Sequence, residues 1–479
     1  MLFNSLGFLI FLPIVFLLYW FVAKGNLKFQ NILLLVASYF FYACWDYRFL
    51  FLLIFSTLLD YATGIMMHEA KTQPLKKFWF WLSVGINLGF LGIFKYYNFF
   101  VESMAAALEG VGVQANFWTL QVILPVGISF YTFHGLSYVI DIYTNKIKPE
   151  RNFTDYSLFV SFFPLLVAGP IERATHLLPQ IKAKRLFNYA QATDGLRQIL
   201  WGLFKKMVIA DNCAQYVNTV FNDSSEHSGS SHIVAGIFFT LQIYGDFSGY
   251  SDIALGTARL FGVDLLRNFA FPFFSRDIAE FWRRWHISLS SWFRDYLYIP
   301  LGGSAGGTWM KVRNTFIIFL VSGFWHGAAW TYVVWGLLNA LYILPSIIFN
   351  TNRNNIEIVA KGKTFPTLKE FYQIVSTFAL TVFAFIIFRA ESLPHAAIYI
   401  SEMFSASVFT KPTGMRNELV WLIAIFILIE WLGRENKFAL EKFGHKWNET
   451  LRISLYVALV ISIFWFTPIH DVQFIYFQF

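Results

Sequence analysis

The chain has 479 residues, of which 57% are hydrophobic, 20% aromatic and 14% charged. Soluble domains carry about 25% charged and 45–50% apolar residues, so this composition excludes a disordered chain and a set of water-soluble domains. The net charge of +8 suits a polytopic membrane protein with Lys and Arg in its cytoplasmic loops, and calls for no nucleic acid.

In chain order, apolar runs suited to a bilayer core about 30 Å thick fall near residues 5–22, 29–44, 49–67, 78–96, 118–140, 156–168, 196–210, 233–245, 314–325, 328–349, 372–388, 419–432 and 453–467. The first run has neither a basic n-region nor a small-residue cleavage site, so it is expected to be a retained span. Several runs are too short or too polar to cross alone. The expectation is an all-α polytopic protein with about 10–12 crossings plus re-entrant helices. No internal repeat or low-complexity segment interrupts 1–479, which reads as one membrane domain. Cys44 and Cys213 make neither a disulfide framework nor a metal site.

Basic residues set the expected orientation. Lys24 and Lys28, then Lys71, Lys76 and Lys77, and finally Arg434, Lys437, Lys442, Lys446 and Arg452 mark inside loops. The loop 222–232 has no Lys or Arg. Both termini then fall on the extracytoplasmic side.

Residues 276–303 cannot be a lipid-facing span. Arg276, Asp277, Glu280, Arg283, Arg284, Arg294 and Asp295 would together cost on the order of 20 kcal/mol at the bilayer centre. At 100° per residue, Ile278, Phe281, Trp282, Trp285, Leu289 and Trp292 share one helix face. Glu280, Arg283 and Arg284 fall opposite, and His286 falls on the border. The pattern predicts one amphipathic helix that anchors in the interface, lines a polar funnel with His286 pointing into it, or does both.

His326 is the strongly polar group in the apolar stretch 320–336. Counted as an upright helix from Asn314, it lies about 18 Å into the core, past mid-depth. Gly323, Gly327, Ala328 and Ala329 around it either permit close helix packing or leave room for a substrate. An ionisable residue at that depth is a functional candidate. Histidine titrates near 6.5 and can act as a general base at neutral pH. It could activate a hydroxyl that attacks an acyl donor, with His286 assisting, orienting or holding that donor. A hydrogen-bonded core histidine is the competing reading.

The runs EFWRRWHISLSSWFRDYLYIPLGG (280–303) and GFWHGAAWTYVVWG (323–336) resemble the membrane-bound O-acyltransferase family, nearest to its alginate O-acetylation branch. LPVGISFYTFHGLSYVIDIY (124–143), FFPLLVAGPIER (162–173), GLFKKMVIAD (202–211), YGDFSGYSDIALGTARLFG (244–262) and the C-terminal FIYFQF fit as well. The resemblance implies a ring of helices around a central funnel. It implies acyl transfer from a cytoplasmic donor, acetyl-CoA, to an extracytoplasmic polysaccharide such as alginate or another envelope polymer. His326 matches the family's invariant histidine and His286 its second characteristic position. His134 stands where the branch usually has Gln, and is expected to be a polar liner. The setting implied is a bacterial inner membrane, with a periplasmic or surface esterase-like acyltransferase as partner and no bound cofactor or metal.

Arg283, Arg284, Trp285, Arg294, Trp325, Asp246 and Asp252 are further candidates for donor binding or funnel lining. The arginines could instead reach lipid headgroups. GDFSGYSD, which holds Asp246 and Asp252, reads as a helix break with internally satisfied hydrogen bonds or as chamber lining. The glycines 302, 303, 306 and 307 lack the Lys of a phosphate loop. D-alanyl transfer to teichoic acid, which takes a carrier-protein thioester as donor, and transport of an acylated intermediate are the competing functions.

Overall fold

A computed structural model describes residues 1–113, 119–120, 124–167, 169–468 and 474–475. All long elements among them are α-helices, some extended by π-helical turns. Among the described residues, five helical stretches are long and apolar enough to cross a membrane: Tyr47–Glu69, Gln73–Glu109, Trp330–Ile348, Leu368–Arg389 and Glu449–Phe466. Shorter apolar helices cover Leu6–Val22 and Leu27–Ala43. The protein is an all-α polytopic membrane protein. Its contacts divide into two units.

The first unit comprises Met1–Tyr189 and Ala258–Leu266. It contains α1 (Leu6–Leu17), α2 (Leu27–Ala43), α3 (Tyr47–Glu69), α4 (Gln73–Leu91), α5 (Tyr97–Glu109), α6 (Ile128–Tyr143), α7 (Phe153–Ser161) and α8 (Ala174–Lys182). Ser5, Asn26 and Asp46 start the first three by accepting a hydrogen bond from a backbone N–H of the first turn. Buried polar side chains pair across helices, as they must where no water reaches. The Asp60 carboxylate accepts from Ser83 Oγ at 2.6 Å and from Asn87 Nδ2 at 2.8 Å.

Two expected spans are shorter than their apolar runs. The run 118–140 becomes helix only at Ile128, after Pro125 and the left-handed Gly127; residues 118 and 121–123 lie outside the described residues. The run 156–168 yields the nine-residue α7, and the chain turns at Phe162. His134, expected to line a polar space, is enclosed in this unit: its Nε2 accepts the Glu172 backbone N–H at 3.1 Å. The Glu172 side chain accepts the Leu266 N–H at 2.6 Å and meets His176 Nδ1 at 2.8 Å.

The second unit comprises Ala190–Thr257 and Arg267–Phe479. Its helices are α9 (Tyr189–Leu203), α10 (Asp211–Asn222), α11 (Gly229–Leu260), α12 (Ile278–Arg284), α13 (Ile287–Phe293), α14 (Gly307–His326), α15 (Trp330–Ile348), α16 (Leu368–Arg389), α17 (Leu393–Met403), α18 (Asn417–Gly433) and α19 (Glu449–Phe466). A π-helical stretch, Phe204–Ala210, follows α9 and holds Lys205 and Lys206 inside the unit. α9 runs so close to α11 that a Cβ on Gly249 would stand 2.7 Å from the Gly202 carbonyl oxygen.

α11 passes unbroken through GDFSGYSD, contrary to the expected helix break. Its acidic residues find partners on the neighbouring stretch and leave their own backbone bonds alone. Lys206 Nζ lies 2.6 Å from Asp211 and 2.8 Å from Asp246. Asp246 also accepts the backbone N–H of Ile475 at 2.7 Å. Asp252 pairs with Lys205 at 2.5 Å and accepts from Gln198 Nε2 at 2.8 Å. These carboxylates are thus satisfied within the unit, and Asp252 also lines a small pocket with Lys205, Arg267 and Asn268. Residues 476–479 of the C-terminal run lie outside the described residues.

Candidate active site

The amphipathic helix expected over 276–303 is broken at its centre. α12 ends at Arg284, Trp285 is extended, and His286 takes a left-handed conformation with φ 43° before α13 begins. Such a conformation costs a non-glycine residue on the order of 1–3 kcal/mol and persists only where its surroundings impose it. Segment 268–270 imposes it here. Ala270 N–H donates to Arg284 O at 2.9 Å, and Ile287 N–H donates to Asn268 O at 2.9 Å. Ser288 Oγ donates to Asn268 Oδ1 at 2.6 Å. Three hydrogen bonds bracket the two residues on which the chain reverses its helical sense. Apolar periodicity could not reveal this, because the clamp comes from some twenty residues upstream in sequence.

The charged residues of α12 hold the loop beside it. Glu280, only 1% exposed, pairs with Arg276 at 3.1 Å and with Arg284 at 2.7 Å. Arg283 donates to the carbonyls of Asn352 and Asn355 at 2.6 and 2.8 Å. Arg276 and Arg284 both donate to the Glu357 carbonyl. These arginines therefore pin the 352–357 loop onto α12. Arg294 lies apart, exposed and paired with Asp295 at 2.8 Å. Trp285 is buried in an aromatic cluster, with Phe269, Phe281 and Phe385 at centroid distances of 5.1, 5.4 and 5.4 Å.

His326 is the last residue of α14, and the chain turns through Gly327–Ala329 into α15. Gly323 and Gly327 serve packing here. A Cβ on Gly323 would stand 2.2 Å from the Tyr332 carbonyl oxygen, and one on Gly327 would overlap the Tyr332 ring. The His326 ring is enclosed by Trp325, Trp335 and Phe388 at 5.0, 5.1 and 5.4 Å.

The fold brings the two histidines to one indole. Trp325 lies 5.9 Å from the His286 ring and 5.0 Å from the His326 ring. Phe247 closes the other contact of His286 at 4.7 Å. His286 is 1% exposed. Among the described residues neither of its ring nitrogens has a hydrogen-bond partner. A buried polar group left open in this way calls for a partner, and a substrate hydroxyl or carbonyl would supply one. Asn268, Phe247, Trp335 and Phe388 complete the site, and nothing in their local sequence singled them out. Asp246 and Asp252 are held in the ion pairs described above.

A family model for the membrane-bound O-acyltransferases matches residues 143–389, which span both histidines. The chain belongs to this family. Similarity extends well beyond the matched segment. A probable alginate O-acetylase of Pseudomonas putida is 38% identical over 435 residues, 90% of this chain and 86% of the relative. A peptidoglycan O-acetyltransferase of Helicobacter pylori is 35% identical over 83% of this chain and 78% of its own length. A teichoic acid D-alanyltransferase of Bacillus subtilis is 28% identical over 56% of this chain and 70% of its own. The protein is accordingly a membrane O-acyltransferase of the alginate O-acetylase branch.

Proposed function

We propose that this O-acyltransferase moves acetyl from acetyl-CoA, on the cytoplasmic side, toward hydroxyl groups of an extracytoplasmic polysaccharide. His326 is the general base and His286 its support. The observation that carries this reading is the convergence of both imidazoles on Trp325 inside a buried aromatic enclosure. In the transfer step the acceptor oxygen attacks the thioester carbonyl carbon and the His326 imidazole takes the hydroxyl proton. The carbon–sulfur bond breaks, and the departing thiolate takes that proton. A positioned base of this kind contributes about 10²–10⁴-fold. The open nitrogens of His286 suit it to hold the acyl carbonyl or the acceptor hydroxyl.

The basic loops near 24, 71 and 434 support a bacterial inner-membrane orientation with both termini outside. The alginate and peptidoglycan acetylases among the relatives support an envelope polysaccharide as the final acceptor. This reading has the chain pass acetyl to an esterase-like acyltransferase partner outside the membrane. A second reading, D-alanyl transfer from a carrier-protein thioester, rests on the similarity to teichoic acid D-alanyltransferases.

Labelled acetyl-CoA supplied to membranes holding wild type or His326→Ala, with envelope extract, tests the proposal. Label should reach macromolecules only with the wild type. Equal transfer by His326→Ala would overturn the role of His326. Transfer from a D-alanyl carrier protein alone would move the assignment to the second reading.

A further inference from the structure

The second unit contains an apolar cleft of about 290 Å³ whose lining includes neither His286 nor His326. Its walls come from α11, α16, α18 and the segment Phe271–Phe274. Ile237, Leu241, Phe273, Phe378, Ile423 and Phe426 are among the lining side chains. Glu430 lies at one end, but both of its carboxylate oxygens are engaged. Oε1 accepts from Trp201 Nε1 at 2.9 Å, and Oε2 accepts from Tyr244 Oη at 2.6 Å. The cleft therefore offers an occupant almost no polar contact. Water needs two to four polar partners in such a space, and apolar cavities stay dry.

The residues at its edges point to what fills it. Val375 on α16, with Val420 and Ile427 on α18, line the cleft and are also exposed. α16 is long and apolar enough to cross the membrane, and the exposed residues of α18 include Trp421, Ile425 and Leu428. The cleft thus opens onto exposed apolar surface of the kind that meets bilayer hydrocarbon. Within that layer, lipid chains are the apolar material present at high concentration.

We infer that this cleft is a binding site for one fatty-acyl chain of a bilayer phospholipid, which enters sideways between α16 and α18. The bound chain rests on Phe273 and Tyr244. Both rings lie 6.1 Å from Trp285, the residue before His286. The lipid is in this way part of the packing behind the histidine loop. It is distinct from the thioester donor and from the polymer acceptor.

The experiment places the full-length protein in nanodiscs of phosphatidylethanolamine and phosphatidylglycerol. A tracer phospholipid carries a diazirine near the end of one acyl chain. After illumination, peptides are mapped by mass spectrometry. A several-fold excess of lipid adducts on residues 237–241, 374–378 and 420–427, relative to the exposed face of α19 at Phe464 and Trp465, is expected. Ile423→Trp, which fills the cleft, should abolish that excess while α19 labelling persists. Val420→Trp, at the exposed edge, should reduce it without burdening the core. Adducts no denser in the cleft than on α19 would overturn the inference in the wild type alone. Retained excess in both variants would overturn it too, as would protein–protein crosslinks at these residues showing that a second copy or another helix seats there.

Discussion

His286 combines the side chain proposed above to support transfer with a backbone conformation that disfavours any side chain. A left-handed residue with a side chain is strained, and glycine relieves that strain at the loss of the ring. His286→Gly is therefore expected to keep or raise the thermal midpoint in detergent while transfer falls by about 10²-fold or more, as for a lost catalytic group. A variant that melts early would show the ring to be structural filler. Asn268 acts one step removed, through Ser288 and the reversal of the chain. Asn268→Ala removes one hydrogen bond and should cost on the order of 1–2 kcal/mol. A positioning role predicts that kcat falls while KM for the donor holds; equal loss of folded protein and activity would show a stability effect only. At this scale His326 was legible because an ionisable residue in an apolar run is anomalous. Asn268 was not, since an asparagine in an irregular segment carries no such anomaly.

Among the helices, the tightest demands fall where α9, its π-helical continuation and α11 meet. Gly249→Ala would press a Cβ against the Gly202 carbonyl at 2.7 Å and should cost about 1–3 kcal/mol. Lys206→Met leaves Asp211 and Asp246 buried without their shared cation and should cost about 3–5 kcal/mol. Gel filtration of solubilised protein checks both, as loss of the monodisperse peak. On the short helix α8, His176 behaves differently. Its hydrogen bond to Glu172 holds the imidazole above the ordinary 6.5. The stabilisation is therefore complete below 6.5 and fades as pH rises through the raised value. The thermal midpoint of wild type should fall across that rise more than that of His176→Gln. The helices long and apolar enough to cross a membrane were legible from hydropathy alone. The break between α12 and α13 was not, because an amphipathic pattern over so few turns fits one helix and two shorter ones alike. The helix break expected in GDFSGYSD failed for a related reason: the lysines that satisfy its carboxylates lie some forty residues away.

For the whole molecule, composition and loop charge carried most of the reading. A chain with 57% hydrophobic and 14% charged residues cannot hide its apolar surface in water. Exposed side chains such as Phe464 and Trp465 on α19 confirm where that surface lies. The basic loop 434–452 predicts that a cysteine placed at Lys442 reacts with a membrane-impermeant maleimide in inverted vesicles and stays silent in intact cells. The opposite result would reverse the orientation. What loop charge could not foretell is how α14 meets α15. A Cβ on Gly323 would stand 2.2 Å from one backbone oxygen, and one on Gly336 would stand 2.3 Å from another, Phe319 O. Two helices whose main chains touch at two levels have no clearance for a piston stroke or a one-turn ratchet. The imidazole at their tip is an anvil of constant depth. Under the base role proposed for His326, substrate has to be brought to a fixed imidazole, and substitutions that slow transfer without unfolding the protein are expected outside the hairpin.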